Sequence, residues 1–321
     1  MGPTRLGFAR FRAFARRRED FPVPQYVLQG GGYHAEITRM GAALRVLRYG
    51  GRDLVASWPI EGPVPFYSGT LLAPWPNRLG HGRYTFAGER LEVPVNEPER
   101  GHALHGLVSF ADWEPAGPPH TEDGHASLRL THTIESSPGY PFLLALQVTH
   151  TLGHDGLTTT LTAENVGDRP APYGCGPHPW LVAGEGPETG WELGVPAGHV
   201  LLTDETMLPT TLERVEGTPL DFRVPRPIGA TVADHAFTGL DAGPDGVTRV
   251  RLRGADGAGV QIAWEAAAMP WVQVCTGTGF GYQGIAVEPM TCPPDAFNSG
   301  TDLIVLDPGT KHEAGWTISA L

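Results

Sequence analysis

The chain is nearly without lysine: of its 23 basic residues only Lys311 is one, ten residues from the C-terminus. A Schiff-base enzyme or a P-loop NTPase needs a lysine at the reacting centre, so neither is expected. Cysteine is also scarce. Cys175, Cys275 and Cys292 are odd in number and show no CxxC spacing, which excludes a disulfide framework and a zinc or redox motif and fits buried thiols in a reducing cytoplasm. No run approaches 18 apolar residues without a charge, Pro or Gly, so no transmembrane helix and no membrane partner are expected. Positive charge is outweighed, 23 basic residues against 35 acidic, for a net charge of −12; this repels polyanions and disfavours nucleic acid. Glycine (43) and proline (31) are abundant, together about twice their usual share, which leaves little room for long helices.

Six arginines, Arg5, Arg10, Arg12, Arg16, Arg17 and Arg18, stand against Glu19 and Asp20 in the first twenty residues, so an arm of +4 precedes a body of −16. The arm has no apolar core and no small-residue cleavage site, so a disordered extension or a misplaced start codon is expected in preference to a targeting peptide. Residues 1–24 read as a basic, disordered extension, and residues 25–321 as one domain without an internal linker. From Tyr26 onward the apolar period is two. Leu128, Leu130, His132 and Ile134 share a face, as do Leu144, Leu146 and Val148, then Leu157, Thr159 and Leu161, then Val260, Ile262 and Trp264. At least a dozen such strands, separated by Gly, Pro, Asn or Asp, predict an all-β fold, a large antiparallel β-sandwich.

Four segments concentrate ionisable or aromatic groups beside Pro or Gly: residues 73–80 (APWPNRLG), 101–106 (GHALHG), 173–181 (YGCGPHPWL) and 284–297 (GIAVEPMTCPPDAF). His178 and Glu288 each precede a proline, whose ring holds the preceding residue extended and limits where its side chain points. A fixed acid or base is what proton transfer requires. Glu288 follows the apolar run Ile285-Ala-Val287, which places its carboxylate at a strand end where desolvation raises its pKa toward that of a general base. His178 lies in a Gly/Pro-rich loop, outside any regular ladder, where it can donate a proton near neutral pH. Either residue alone is more often structural; together they suggest acid–base chemistry. A metal site from His102, His105 and Glu288 can be drawn, but with 13 histidines in the chain such a triad arises by chance, and no metal is expected. Arg78 offers a fork of donors for hydroxyls or a carboxylate. Trp75, Trp180 and Trp316 are candidate platforms for a sugar's C–H face, although the core is the commoner place for each. The run Gly277-Thr-Gly-Phe-Gly281 lacks both the spacing of a dinucleotide loop and a following helix, and reads as a turn.

The order Asn77-Arg78-Leu-Gly, with Gly82, Tyr84, Gly88 and Asn96, then Leu104-His105-Gly106 to Trp113, Gly176 to Leu181, Asp234-His-Ala-Phe237, and Glu288 to Phe297 spans nearly the whole chain. It resembles the aldose 1-epimerase (galactose mutarotase) family. The resemblance implies a β-supersandwich that interconverts the α and β anomers of a free aldose, with Glu288 as catalytic base and His178 as catalytic acid. It also implies substrate contacts from Arg78, His105 and Asp234, with Asn77 and Trp180 in the same segments, and neither a metal nor an organic cofactor. Two departures, Leu107 after the His105-Gly106 pair where a second Gly is usual and Trp180 where Tyr is frequent, resemble a divergent bacterial branch. Two alternatives stay open: a hexose-6-phosphate 1-epimerase using Arg83 and Arg100 for the phosphate, and a non-catalytic sugar-binding protein. Oligomeric state does not follow from the sequence.

Overall fold

Strands of ten residues form where apolar side chains alternate with threonine and charge. His125–Ile134, Leu144–Gly153 and Gly156–Asn165 run consecutively antiparallel, and Lys311–Ala320 closes onto the third. They form the middle of a ten-stranded sheet that continues through Gly259–Glu265 and Val247–Arg253. The computed structural model describes residues 24–321, so the expected disordered arm lies, save for Pro24, outside the described residues. Among the described residues the α-helical structure is the single turn Ala296–Ser299, and no helix is long and apolar enough to cross a membrane. Gly and Pro explain this: the chain turns before a helix can propagate.

A six-stranded sheet packs against the ten-stranded one. Its order is Trp180–Leu181, Ile285–Met290, Trp271–Thr276, Asp234–Leu240, Ala197–Thr203 and Pro209–Arg214, all antiparallel. Its inner face presents Ile285, Val287, Val272, Val274, Phe237 and Val200 to one apolar core shared with Leu128, Leu130, Leu146, Val148, Leu161, Ile262 and Ile318 of the larger sheet. Each such side chain contributes about 1.5–3 kcal/mol when fully buried, so the sandwich is held by hydrophobic contact between two aligned faces. All three cysteines are free and buried, as expected. Trp75 packs edge-on against Phe297, and Trp316 lies cross-strand from Trp264 in the larger sheet; at 3% and 4% exposure both belong to the core, the commoner place for a tryptophan, and neither is a sugar platform.

The strands Trp271–Thr276 and Ile285–Met290 are buried along their entire length, on both faces. Glu288 therefore sits inside a strand, not at its end: the ladder continues through Pro289 to Met290. The proline is tolerated because successive residues direct their N–H groups to opposite sides of the strand. Val287 N–H reaches Pro179 O, so the nitrogen of Pro289 faces the same side, beyond the two-residue strand Trp180–Leu181.

Candidate active site

The outer face of the six-stranded sheet carries the ionisable groups, in two rows set by register. One row is Trp180, Ala286, Cys275 and Asp234; the next is Glu288, Gln273, Ala236 and Leu201. Residues two apart along a strand share a face, so Glu288, Gln273, Cys275 and Asp234 are neighbours. Gln273 Nε2 donates to Asp234 Oδ1 at 2.6 Å. Asp241, the other aspartate of that region, is exposed beyond the end of its strand.

His178 enters from the segment linking Gly176–Pro177 to Trp180–Leu181. It is not outside all pairing, as its sequence suggests: its N–H donates to Thr70 O at 3.0 Å and its carbonyl accepts from Gly69 N–H at 2.8 Å. Pinned on both sides and followed by Pro179, the imidazole has its Nε2 3.4 Å from Glu288 Oε1. Gly176 is required here because a Cβ would meet Pro289 O at 2.4 Å.

A third layer comes from the loops that hold Arg78 and His105. The short pair Arg78–Leu79 with Ala103–Leu104 brings them together, and Asn77 N–H donates to His105 Nδ1 at 3.2 Å, fixing the ring. Both Asn77 (φ 55) and His105 (φ 62) adopt left-handed backbone, uncommon for a residue with a side chain and concentrated at functional positions. The Pro-Asp-Ala-Phe motif braces this segment from behind: Asp295 N–H donates to Arg78 O at 2.7 Å, and Asp295 Oδ1 accepts Gly80 N–H at 2.8 Å.

Arg78 is buried and already gripped by a carboxylate. Its Nε and one terminal nitrogen bond Glu97 Oε2 and Oε1, each at 2.9 Å, and Arg100 adds a bond to Glu97 at 2.8 Å. Of the two arginines proposed for a phosphate, Arg100 is thus committed to Glu97, while Arg83 is 70% exposed and pairs with Glu92. His105, His178 and Glu288 place one ligand atom each within 4.8 Å of one another. A divalent cation would find its donors in these three residues. His102, expected in such a triad, is turned away, its Nε2 facing Thr206 O at 3.1 Å and its Nδ1 accepting His81 N–H.

Burial governs the charge states. It pushes Glu288 well above the usual carboxylate range, helped by the negative Asp234 and opposed by Arg78. It lowers His178 to about 4 and His105 well below its ordinary value, with His178 and Arg78 adding to the effect. His178 Nδ1 and Glu288 Oε2 are buried without hydrogen-bond partners, so the pair has polar capacity to offer a ligand. Tyr67 covers the imidazoles, its ring 4.6 Å from His105 and 6.1 Å from His178. Trp180 is 2% exposed and lies beneath Phe66, Phe280 and Tyr282; it supports an aromatic wall and is not itself an open platform.

Glu97, Gln273 and Tyr67 carry no motif in the sequence that marks them for the site. Glu97 stands in a charged turn, NEPER, that looks solvated. Gln273 had a legible signal, the one amide in the otherwise apolar run WVQVC.

The aldose 1-epimerase family profile matches residues 24–319. YihR, an uncharacterized protein of Escherichia coli K12, is 37% identical over 293 residues, 91% of each chain. A galactose mutarotase-like protein from Clostridium acetobutylicum superposes with a TM-score of 0.82 at 15% identity, covering 95% of this chain and 99% of its own. Galactose 1-epimerase from Lactobacillus acidophilus does so at 0.78 and 20% identity, covering 95% and 97%. The sandwich is therefore the galactose mutarotase-like fold, and the chain belongs to the aldose 1-epimerase family.

Proposed function

We propose that the protein is a mutarotase for a free, neutral aldose, with Glu288 and His178 exchanging protons with the sugar. The observation that carries this reading is the contact of 3.4 Å between His178 Nε2 and Glu288 Oε1 in a buried site. The anomeric hydroxyl and the ring oxygen are bonded to one carbon, so two groups standing side by side can address both from one edge of the ring. Glu288 takes the proton of the C1 hydroxyl as His178 delivers one to the ring oxygen; the hemiacetal opens, C1–C2 rotates, and the reverse transfers close the other face. Arg78, His105, Asp234 and Asn77 orient the sugar, and Gln273 joins them through Asp234.

Burial raises the Glu288 carboxyl and lowers the His178 imidazole, so a proton on the pair is favoured on Glu288. The roles above need it on the imidazole. Both arrangements contain one acid and one base, and ring closure reverses the roles used in opening, so the requirement is one proton shared by the two groups. A neutral sugar is favoured over a 6-phosphate because Arg100 is held by Glu97 and Arg83 points into solvent. Anomer-exchange NMR across free and phosphorylated sugars tests the reading: exchange accelerated for a free aldose supports it, and acceleration confined to phosphorylated sugars refutes it.

A further inference from the structure

The glycine-rich run read from sequence as a turn has a second property in three dimensions. Gly277–Phe280 and the residues to Gly284 join the strand of Gln273 to the strand of Glu288 and fold over the face those strands share. Backbone N–H groups in such a loop form a concavity suited to an anion. Here the anion is internal: Thr278 N–H and Oγ1–H both donate to Glu188 Oε1. Glu188 comes from the turn Glu188–Gly190 ahead of the Glu192–Gly194 strand and is 6% exposed. Its other oxygen, Oε2, is buried and has no hydrogen-bond partner, so one oxygen makes the attachment.

The loop also carries half of the aromatic wall. Tyr282 and Phe280 lie 5.1 and 6.5 Å from Trp180, whose ring is 5.8 Å from His178. Tyr282 Oη reaches Ser68 Oγ at 3.4 Å, joining the wall to the turn that bears Tyr67. Beside this wall Glu288, Asn77, His105, His178 and Arg78 are only 2–7% exposed. His178 Nδ1 and Glu288 Oε2 are buried, so a pyranose reaches them only if part of their surroundings moves. The Tyr67 turn is tied by backbone bonds to its neighbours, including Gly69 N–H to His178 O. In the loop, by contrast, the backbone bonds of Gly277, Gly281 and Tyr282 are made within the loop itself. Its links outward are Glu188, the Tyr282 hydroxyl and the Gln283 amide to Gly186 O. A Cβ on Gly279 or Gly281 would meet nothing within 4 Å, so the tip has room to swing.

We propose that the Gly277–Gly284 loop is the gate through which a sugar reaches His178 and Glu288, and that Glu188 is the positioning residue that holds it closed. The inference rests on the sugar-binding reading above. It is tested on the full chain by amide hydrogen exchange over residues 277–284, measured without sugar, together with KM and kcat for the aldose that wild type converts. In Glu188→Ala we expect loop exchange about tenfold faster and KM raised about tenfold, with kcat within about threefold and its pH profile unchanged. Glu188→Gln, which keeps an acceptor oxygen, should recover most of both, whereas a merely structural role would lower the melting temperature and leave KM alone. If Glu188→Ala does not fold, Thr278→Val, which removes only the hydroxyl donor, should shift both readouts the same way by less. Wild-type loop exchange or an unchanged KM in a folded variant overturns the gate. Absence of turnover by wild type sinks the sugar reading instead, and loop exchange still decides the latch.

Discussion

The two large sheets bury histidines in the same way and to opposite ends. In the ten-stranded sheet His150 is 2% exposed, its Nδ1 3.0 Å from Thr159 Oγ1. In the six-stranded sheet's site His178 is 6% exposed, beside Glu288. Burial pulls both down to about 4. A shifted histidine is therefore no mark of chemistry. The difference is the partner: His150 meets a hydroxyl at Nδ1 and has its Nε2 buried without a hydrogen bond, whereas His178 stands beside a carboxyl that can hold the proton it lacks. The larger sheet spends its second face on threonine and charge in solvent; the smaller one turns its second face into an enclosed floor for Glu288, Gln273, Cys275 and Asp234.

That contrast breaks most sharply at the paired residues. Glu288→Gln and His178→Asn should each slow mutarotation by about 10²–10⁴-fold with the fold intact, while His150→Asn should leave the rate within about twofold. Polarimetry checks all three; a His150 variant as slow as a His178 variant would erase the distinction. Next in size are the ion pairs. Glu97→Ala leaves the Arg78 guanidinium buried and unpaired, which costs about 3–5 kcal/mol in urea unfolding. Glu92→Ala, which breaks the exposed pair with Arg83, should cost under about 1 kcal/mol. Similar losses would mean that the Arg78 site is open to water.

Acid should then expose what the two histidines have in common. Each is held neutral in the folded chain but takes a proton near pH 6.5 when unfolded. The unfolded chain thus binds more protons, and stability present above about pH 6.5 is lost as pH falls to about 4, by on the order of 3 kcal/mol per histidine. Urea midpoints across that window should flatten in His150→Phe; an unchanged slope would show His150 already charged or hydrated. The smallest effect expected is none: chelator should leave mutarotation unaltered, and inactivation would make His105, His178 and Glu288 a metal site.

The fold was largely legible because half-buried strands announce themselves by alternation, as at Leu128, Leu130 and Ile134. The strands that hold the site were harder, since Trp271–Thr276 and Ile285–Met290 are buried on both faces and carry no period; Pro289 also disguised the length of the second. His178, Glu288, His105 and Arg78 stood out through their Pro and Gly neighbours. What those neighbours could not convey was pairing across the chain. Nothing local says that Glu97 in a charged turn will be buried 19 positions from Arg78, or that Glu188 will fill the N–H cradle of a loop 90 residues away. Nor does composition reveal that Trp180 supports other rings and is covered by them.

A double-variant comparison tests the shared proton most directly. Anomer-exchange rates are measured for Glu288→Gln, His178→Asn and the two combined, on the aldose that wild type converts. If one proton is passed between the two groups, the double variant is no slower than the slower single one. Losses that multiply, or a single variant at wild-type rate, would contradict it.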